Sequence, residues 1–176
     1  MALQKWNIDT SHSGVHFTVR HMVFAKVHGR FTRWSGSIDL DEQNLAVSAV
    51  SVDIESASVD TNEEKRDGHL KSADFFDVEN NPKISFKSTK VEPKGDTELR
   101  VTGDLSIHGV TKPVILAVER LGKGKDPWGN ERIVFSASVS VDRKDFGLKW
   151  NQALETGGVL VADRVDINLE VEGVKA

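Results

Sequence analysis

The side chains able to carry chemistry in this sequence are histidines, carboxylates and hydroxyls, because it contains no cysteine and no tyrosine. A Cys-ligated metal, an iron–sulfur cluster, a thiol nucleophile and a disulfide framework are thereby excluded. Among the 6 histidines, His12, His16 and His21 stand close enough in sequence to raise a metal site. On an extended chain His12 and His16 lie about 13 Å apart at ~3.3 Å per residue, too far to share a zinc ion, and His21 falls on the opposite face. A metal site would have to be assembled across several strands. The plainer expectation is dispersed, hydrogen-bonding histidines with no metal and no cofactor. There is no HExxH, GxSxG or Walker loop, and Gly122-Lys123-Gly124-Lys125 lacks the Ser/Thr and helix of a phosphate loop, so it reads as a hairpin turn.

Charged residues set among apolar neighbours say more. Arg66, Asp67 and His69 fall in Arg66-Asp67-Gly68-His69-Leu70, and Arg143 and Asp145 fall in Arg143-Lys144-Asp145-Phe146-Gly147-Leu148. Asp163 occupies the apolar, odd-numbered series of the last strand run. Charges go inside only with partners. One reading pairs Arg66, Asp67, Arg143 and Asp145 with one another to close the end of a barrel. The other makes Arg66, Asp67, His69, Arg143 and Asp145 the polar contacts for the head group of a ligand whose tail lies in an apolar interior. Spacing alone does not separate the two.

The elements that must position these residues are strands. The 22 valines and 8 isoleucines outnumber the 12 leucines and 2 methionines, and β-branched side chains favour the pleated conformation. Alternation agrees. Val15/Phe17/Val19, Leu99/Val101/Leu105/Ile107, Ile133/Phe135/Ala137/Val139/Val141 and Val159/Val161/Val165/Ile167/Leu169/Val171 each interleave with polar residues. Ile84/Phe86 and Val114/Leu116/Val118 begin two further runs. Within 45–54 the phase slips, which predicts a bulge or bend near Ala49-Val50. Turn residues separate the runs, giving a meander of roughly eight strands in a sandwich or closed barrel. Residues 61–77 break the pattern. They open with Thr61-Asn62-Glu63-Glu64, which predicts a capping box, a helix over 62–70 and a second short one from Ser72, ended by Asn80-Asn81-Pro82.

One domain accounts for all 176 residues, and no internal repeat or low-complexity tract divides them. Net charge is −4, from 23 Lys+Arg against 27 Asp+Glu, and the signs are mixed rather than blocked, so nucleic acid is not an expected partner. No run approaches the length of a membrane span. Met1 leads directly into charged residues without an apolar signal core, so the chain as written is expected in the cytoplasm, or in the periplasm if it is a processed form.

Several of these motifs recur together in a known family. The residues Trp6-Asn7-Ile8-Asp9 with His12-Ser13, Phe17 and His21, Val27-His28-Gly29-Arg30-Phe31, Ala57-Ser58-Val59-Asp60-Thr61, and Arg66-Asp67-Gly68-His69-Leu70 through Phe75-Phe76-Asp77 occur in order. Pro82-Lys83-Ile84-Ser85-Phe86, Gly103-Asp104-Leu105-Ser106-Ile107-His108-Gly109-Val110-Thr111-Lys112-Pro113 and Arg143-Lys144-Asp145-Phe146-Gly147 follow. From Trp6 to about Val171 the chain resembles the YceI-like polyisoprenoid-binding proteins. The resemblance implies an all-β fold, an antiparallel eight-stranded lipocalin-like barrel with a short helical segment at its mouth and an elongated apolar pore. It also implies binding of a long isoprenoid or other amphiphilic lipid, without established catalysis, in bacterial proteins that are commonly periplasmic and often homodimeric.

Such a pore suits a thin chain. Eight strands enclose an interior that side chains fill or one small ligand occupies, and ten-residue strands make a tube about 30 Å long. The inner wall expected to bind the ligand comprises Val15, Phe17, Val19, Phe86, Val101, Leu105, Phe135, Ala137, Val139, Val165, Ile167 and Leu169. Three functions follow: a carrier, storage or sequestering protein for the lipid; an enzyme acting on such a lipid, with His12, Asp67 or Asp145 in acid–base roles; and a protein-interaction domain whose core is filled.

Overall fold

In the computed structural model, which describes residues 3–155 and 157–176, the wall is an antiparallel sheet closed on itself. Its first three positions are each a strand broken in the middle. β1 (Gln4–Ile8) and β2 (Gly14–His21) follow one another along the same edge of β11 (Val161–Lys175). β3 (Ala25–Phe31) pairs with β2, and its continuation β4 (Trp34–Leu40) pairs with β1. β5 (Ala49–Glu55) lies beside β4, and its continuation β6 (Val59–Asp60) beside β3. Four unbroken strands then lead from β5 to β11: β7 (Lys83–Pro93), β8 (Glu98–Ile107), β9 (Val110–Lys125) and β10 (Glu131–Asp142). The result is the closed eight-stranded antiparallel barrel, completed by the β1–β11 pairing, with β3 paired to β6 only at Arg30 and Phe31.

The three breaks lie side by side and are stitched by hydroxyls. Ser13 donates its Oγ–H to the Asp9 carbonyl at 2.7 Å and accepts from the Glu172 amide at 2.9 Å. Ser56, 1% exposed, donates to the Asn81 carbonyl, and Ser58 donates to the Glu55 carbonyl, both at 2.7 Å. These bonds satisfy backbone groups that lose their ladder partners where the strands bend.

Register puts the apolar rows on one face. Ile167 stands opposite both Phe17 and Val139, and Phe86 opposite both Val52 and Leu105. Two inward positions are glycines that accommodate an aromatic ring. A Cβ on Gly29 would stand 2.1 Å from Phe17 Cζ, and one on Gly103 2.4 Å from Phe86 Cζ and 2.6 Å from the Lys87 carbonyl oxygen.

Several local expectations change. α1 spans Glu64–Lys71, and its N-cap is Glu63, whose carboxylate accepts from the Arg66 amide. Thr61 does not form the capping box, because its hydroxyl donates to Asp67. The second short helix is a turn instead: the Phe76 amide bonds back to the Leu70 carbonyl at 2.9 Å and the chain reverses. The phase slip at 45–54 comes from a 3-10 turn over Leu45–Val47 rather than a bulge within the strand, and β5 begins after it. Val159 lies outside β11 in a bridge to Ala153. A register shift between Val161 and Val165 turns Asp163 outward, where it meets Lys144 Nζ at 3.2 Å; the strict odd–even series fails at that shift.

Candidate functional site

An apolar hollow runs along the interior, from Leu40, Leu99 and Val171 near one end to Leu70 and Trp150 at the other. Away from α1, Trp6 and Ile133 are 0% exposed. Phe17, Val19, Ala137, Val139, Val165, Ile167 and Leu169 also face inward, yet they are only half-buried. The surface they leave uncovered is the wall of a cavity of about 370 Å³. That falls in the ~300–1,000 Å³ range of small-ligand pockets.

Every residue of the inner wall expected from alternation lines this cavity, and so do Arg66, His69 and Arg143. Asp67 and Asp145 do not. Asp67 accepts from the Thr61 amide and hydroxyl, while Asp145 is exposed in the 3-10 turn Arg143–Phe146. The mutual pairing of Arg66, Asp67, Arg143 and Asp145 is also absent among the described residues. Arg66 instead clasps Thr61, with Nε donating to Oγ1 at 2.7 Å and Nη2 to the carbonyl at 2.8 Å.

Arg143 is 4% exposed and holds the segment that follows β10. Its guanidinium donates to the carbonyls of Leu148 at 2.6 Å, Trp150 at 2.9 Å, Ala162 at 2.8 Å and Val161 at 3.3 Å. Burial pulls its pKa below the ordinary arginine value, and the charges of Asp163 and Asp142 act against that pull. Planar fork geometry lets one side chain gather carbonyls from both ends of a loop.

Aromatic rings close the mouth. The His69 ring packs edge-on to Trp150, with centroids 4.6 Å apart, and to Phe75 at 5.0 Å; its Nε2 lies 2.8 Å from the Asp74 carboxylate. Phe76 packs on Phe31 at 5.8 Å, and Phe31 on Phe17 at 5.6 Å. Leu70, Phe75, Phe76, Phe146, Leu148 and Trp150 line the cavity from outside the alternating strands. Period-two reasoning could not find them; the only signal in the sequence was large apolar residues within segments that lack strand alternation.

His12, His16 and His21 do not converge. His12 Nδ1 bonds to Asp9 at 2.9 Å, and it joins Asp9 and Glu172 in a group whose ligand atoms lie within 4.8 Å of one another. Arg132 already bonds both carboxylates there, at 2.9 and 3.1 Å, so the charge a cation would neutralise is met. His12 does not line the cavity, whereas His16 and His21 reach its rim.

A closed barrel with a greasy, mouth-capped interior and few polar groups defines a class of β-barrel with an internal apolar cavity. The sequence places the chain within one family of that class: the YceI-like domain profile matches residues 6–173, and the chain belongs to the YceI-like family. A UPF0312 protein of Vibrio cholerae is 39% identical over 170 residues, covering 96% of this chain and 86% of its own length. Among solved structures, Burkholderia cenocepacia BcnA superposes with a TM-score of 0.83 at 24% identity, covering 94% of this chain and 98% of its own. A polyisoprenoid binding domain from Saccharophagus degradans, implicated in plant cell wall breakdown, superposes with a TM-score of 0.72 at 16% identity, covering 97% of this chain and 98% of its own. At these identities both structures speak for the fold.

Proposed function

We propose that the cavity holds the apolar chain of a long isoprenoid or similar amphiphilic lipid, and that the protein acts as its carrier or store. The observation behind this reading is the half-buried inner wall. Phe17, Val139, Val165 and Ile167 face inward but retain accessible surface, which a filled core would remove, as it does at Trp6 and Ile133. At ~0.8 kcal/mol per buried methylene, each five-carbon unit would contribute about 3–4 kcal/mol before ordering costs. Family membership and the polyisoprenoid-binding relative of the same fold support this chemistry.

Arg66 and His69 stand at the rim, where a head group would meet them. The acid–base candidates His12, Asp67 and Asp145 lie outside the cavity wall, which supports binding without turnover. Lipid extraction and mass spectrometry of the purified protein, followed by titration with a dispersed fluorescent isoprenoid alcohol, test the reading. Co-purifying or saturable chain lipid is the expected result. Neither co-purification nor uptake would overturn it.

A further inference from the structure

The signs of charge alternate along most of this chain, but residues 10–38 contain no aspartate or glutamate while carrying Arg20, Lys26, Arg30 and Arg33. That stretch folds into β2, β3 and most of β4. The turn between β2 and β3 is Met22-Val23-Phe24, and these apolar side chains are 51%, 48% and 89% exposed. Met22 and Val23 have φ of 52° and 70°, a left-handed conformation that costs a β-branched residue and that glycine or asparagine would adopt freely. Strained, exposed and greasy, this turn contributes nothing to the core.

Its position gives it a use. The Met22 amide donates to the Leu160 carbonyl at 2.8 Å, and Leu160, His21 and Arg20 line the cavity. Val159, 44% exposed, extends the apolar surface from the neighbouring loop. The tip therefore stands on the rim of the cavity. Arg20 and Lys26 flank it, and among the described residues neither forms an ion pair; Asp163 and Asp166 on adjacent β11 are engaged by Lys144 and Arg164.

We propose that the β2–β3 tip docks on an anionic lipid bilayer, inserting Phe24 and its neighbours while Arg20 and Lys26 meet the head groups. An apolar point backed by cations is complementary to the acyl boundary and the negative surface of such a membrane. It is poorly complementary to itself, since a twofold contact through this tip would bring together two hairpins with cations and no carboxylates. The proposal rests on the lipid-cavity reading, because docking would let a chain pass from bilayer to barrel without crossing water.

Flotation with vesicles of phosphatidylcholine containing a minority of phosphatidylglycerol tests it. Pure phosphatidylcholine and high salt serve as comparisons, with Phe24→Ser and Lys26→Glu beside the unaltered protein. The unaltered protein is expected to float with anionic vesicles and less well in either comparison, and Phe24→Ser to bind at least about tenfold more weakly. Lys26→Glu is also expected to weaken binding. Both variants should keep their thermal unfolding temperature and take up the dispersed isoprenoid probe as before. No flotation of the unaltered protein, or equal flotation of Phe24→Ser, overturns the proposal. So does a dimer that Phe24→Ser converts to monomer without any vesicle binding, which would make the tip a protein interface. Loss of probe uptake by every protein, with flotation intact, instead overturns the cavity reading.

Discussion

Arg132 bonds the carboxylates of Asp126 at 2.8 Å, Asp9 at 2.9 Å and Glu172 at 3.1 Å on the outer face where β1 gives way to β2. Asp126 is held down to about 2, chiefly by that guanidinium. Asp9 is held well below the usual carboxylate range by the Ser11 hydroxyl, then by His12 and Arg132. Folded pKa values depressed in this way stabilise the fold fully above the ordinary value of 3.8, and the contribution fades as pH falls through the folded values. Arg132→Ala is therefore expected to be less stable than the unaltered protein at neutral pH, with the gap narrowing as pH falls from about 4 to about 2. Urea unfolding across that window measures it, and a gap independent of pH would show that packing rather than charge governs the site. Arg143 plays the contrasting part, buried and bonded to carbonyls. Nothing in its sequence neighbourhood distinguishes a loop clamp from a ligand contact, because its partners lie up to 19 residues away.

Strand alternation foretold β2, β8, β10 and most of β11, but it passed over β3 and β4. There Gly29 and Gly36 occupy inward positions, so the apolar rhythm is interrupted where a neighbouring side chain fills the gap. Gly29 accommodates the far end of the Phe17 ring, which can swing into the cavity, whereas Gly103 also abuts the fixed carbonyl of Lys87. Gly29→Ala is accordingly expected to cost about 1–2 kcal/mol, to be largely relieved by Phe17→Leu, and to reduce probe uptake where Phe17 is retained. Gly103→Ala is expected to cost more and to resist relief by Phe86→Leu. Denaturant unfolding of the two double-mutant cycles distinguishes them; equal relief in both would mean that the backbone contact at Lys87 is immaterial.

The barrel as a whole sets the fully buried pair Trp6 and Ile133 apart from the apolar hollow that runs from Leu40, Leu99 and Val171 to α1. Stability and capacity are thereby separated. Ala137, half-buried on the cavity wall at mid-strand, offers room for a larger side chain. Ala137→Trp is expected to fold with unfolding temperature unchanged or slightly raised, because it covers existing apolar surface, while isoprenoid uptake falls at least about tenfold. Unchanged uptake would show that the chain does not occupy this part of the barrel.

Residue type and alternation settled in advance that this chain is a strand meander and which strand residues share a face, since a period of two is a local property of the extended backbone; between sandwich and closed barrel they did not choose. The motif order pointed to the family for a similar reason, being written linearly. Whether Phe17 and Ile167 enclose a space or fill it was not legible, because both outcomes give the same pattern. Nor were the clamp at Arg143, the capping role of Glu63 or the aromatic closure by Phe75, Phe76 and Trp150. These depend on where distant segments meet once the ring has closed, and on volumes that no single strand specifies.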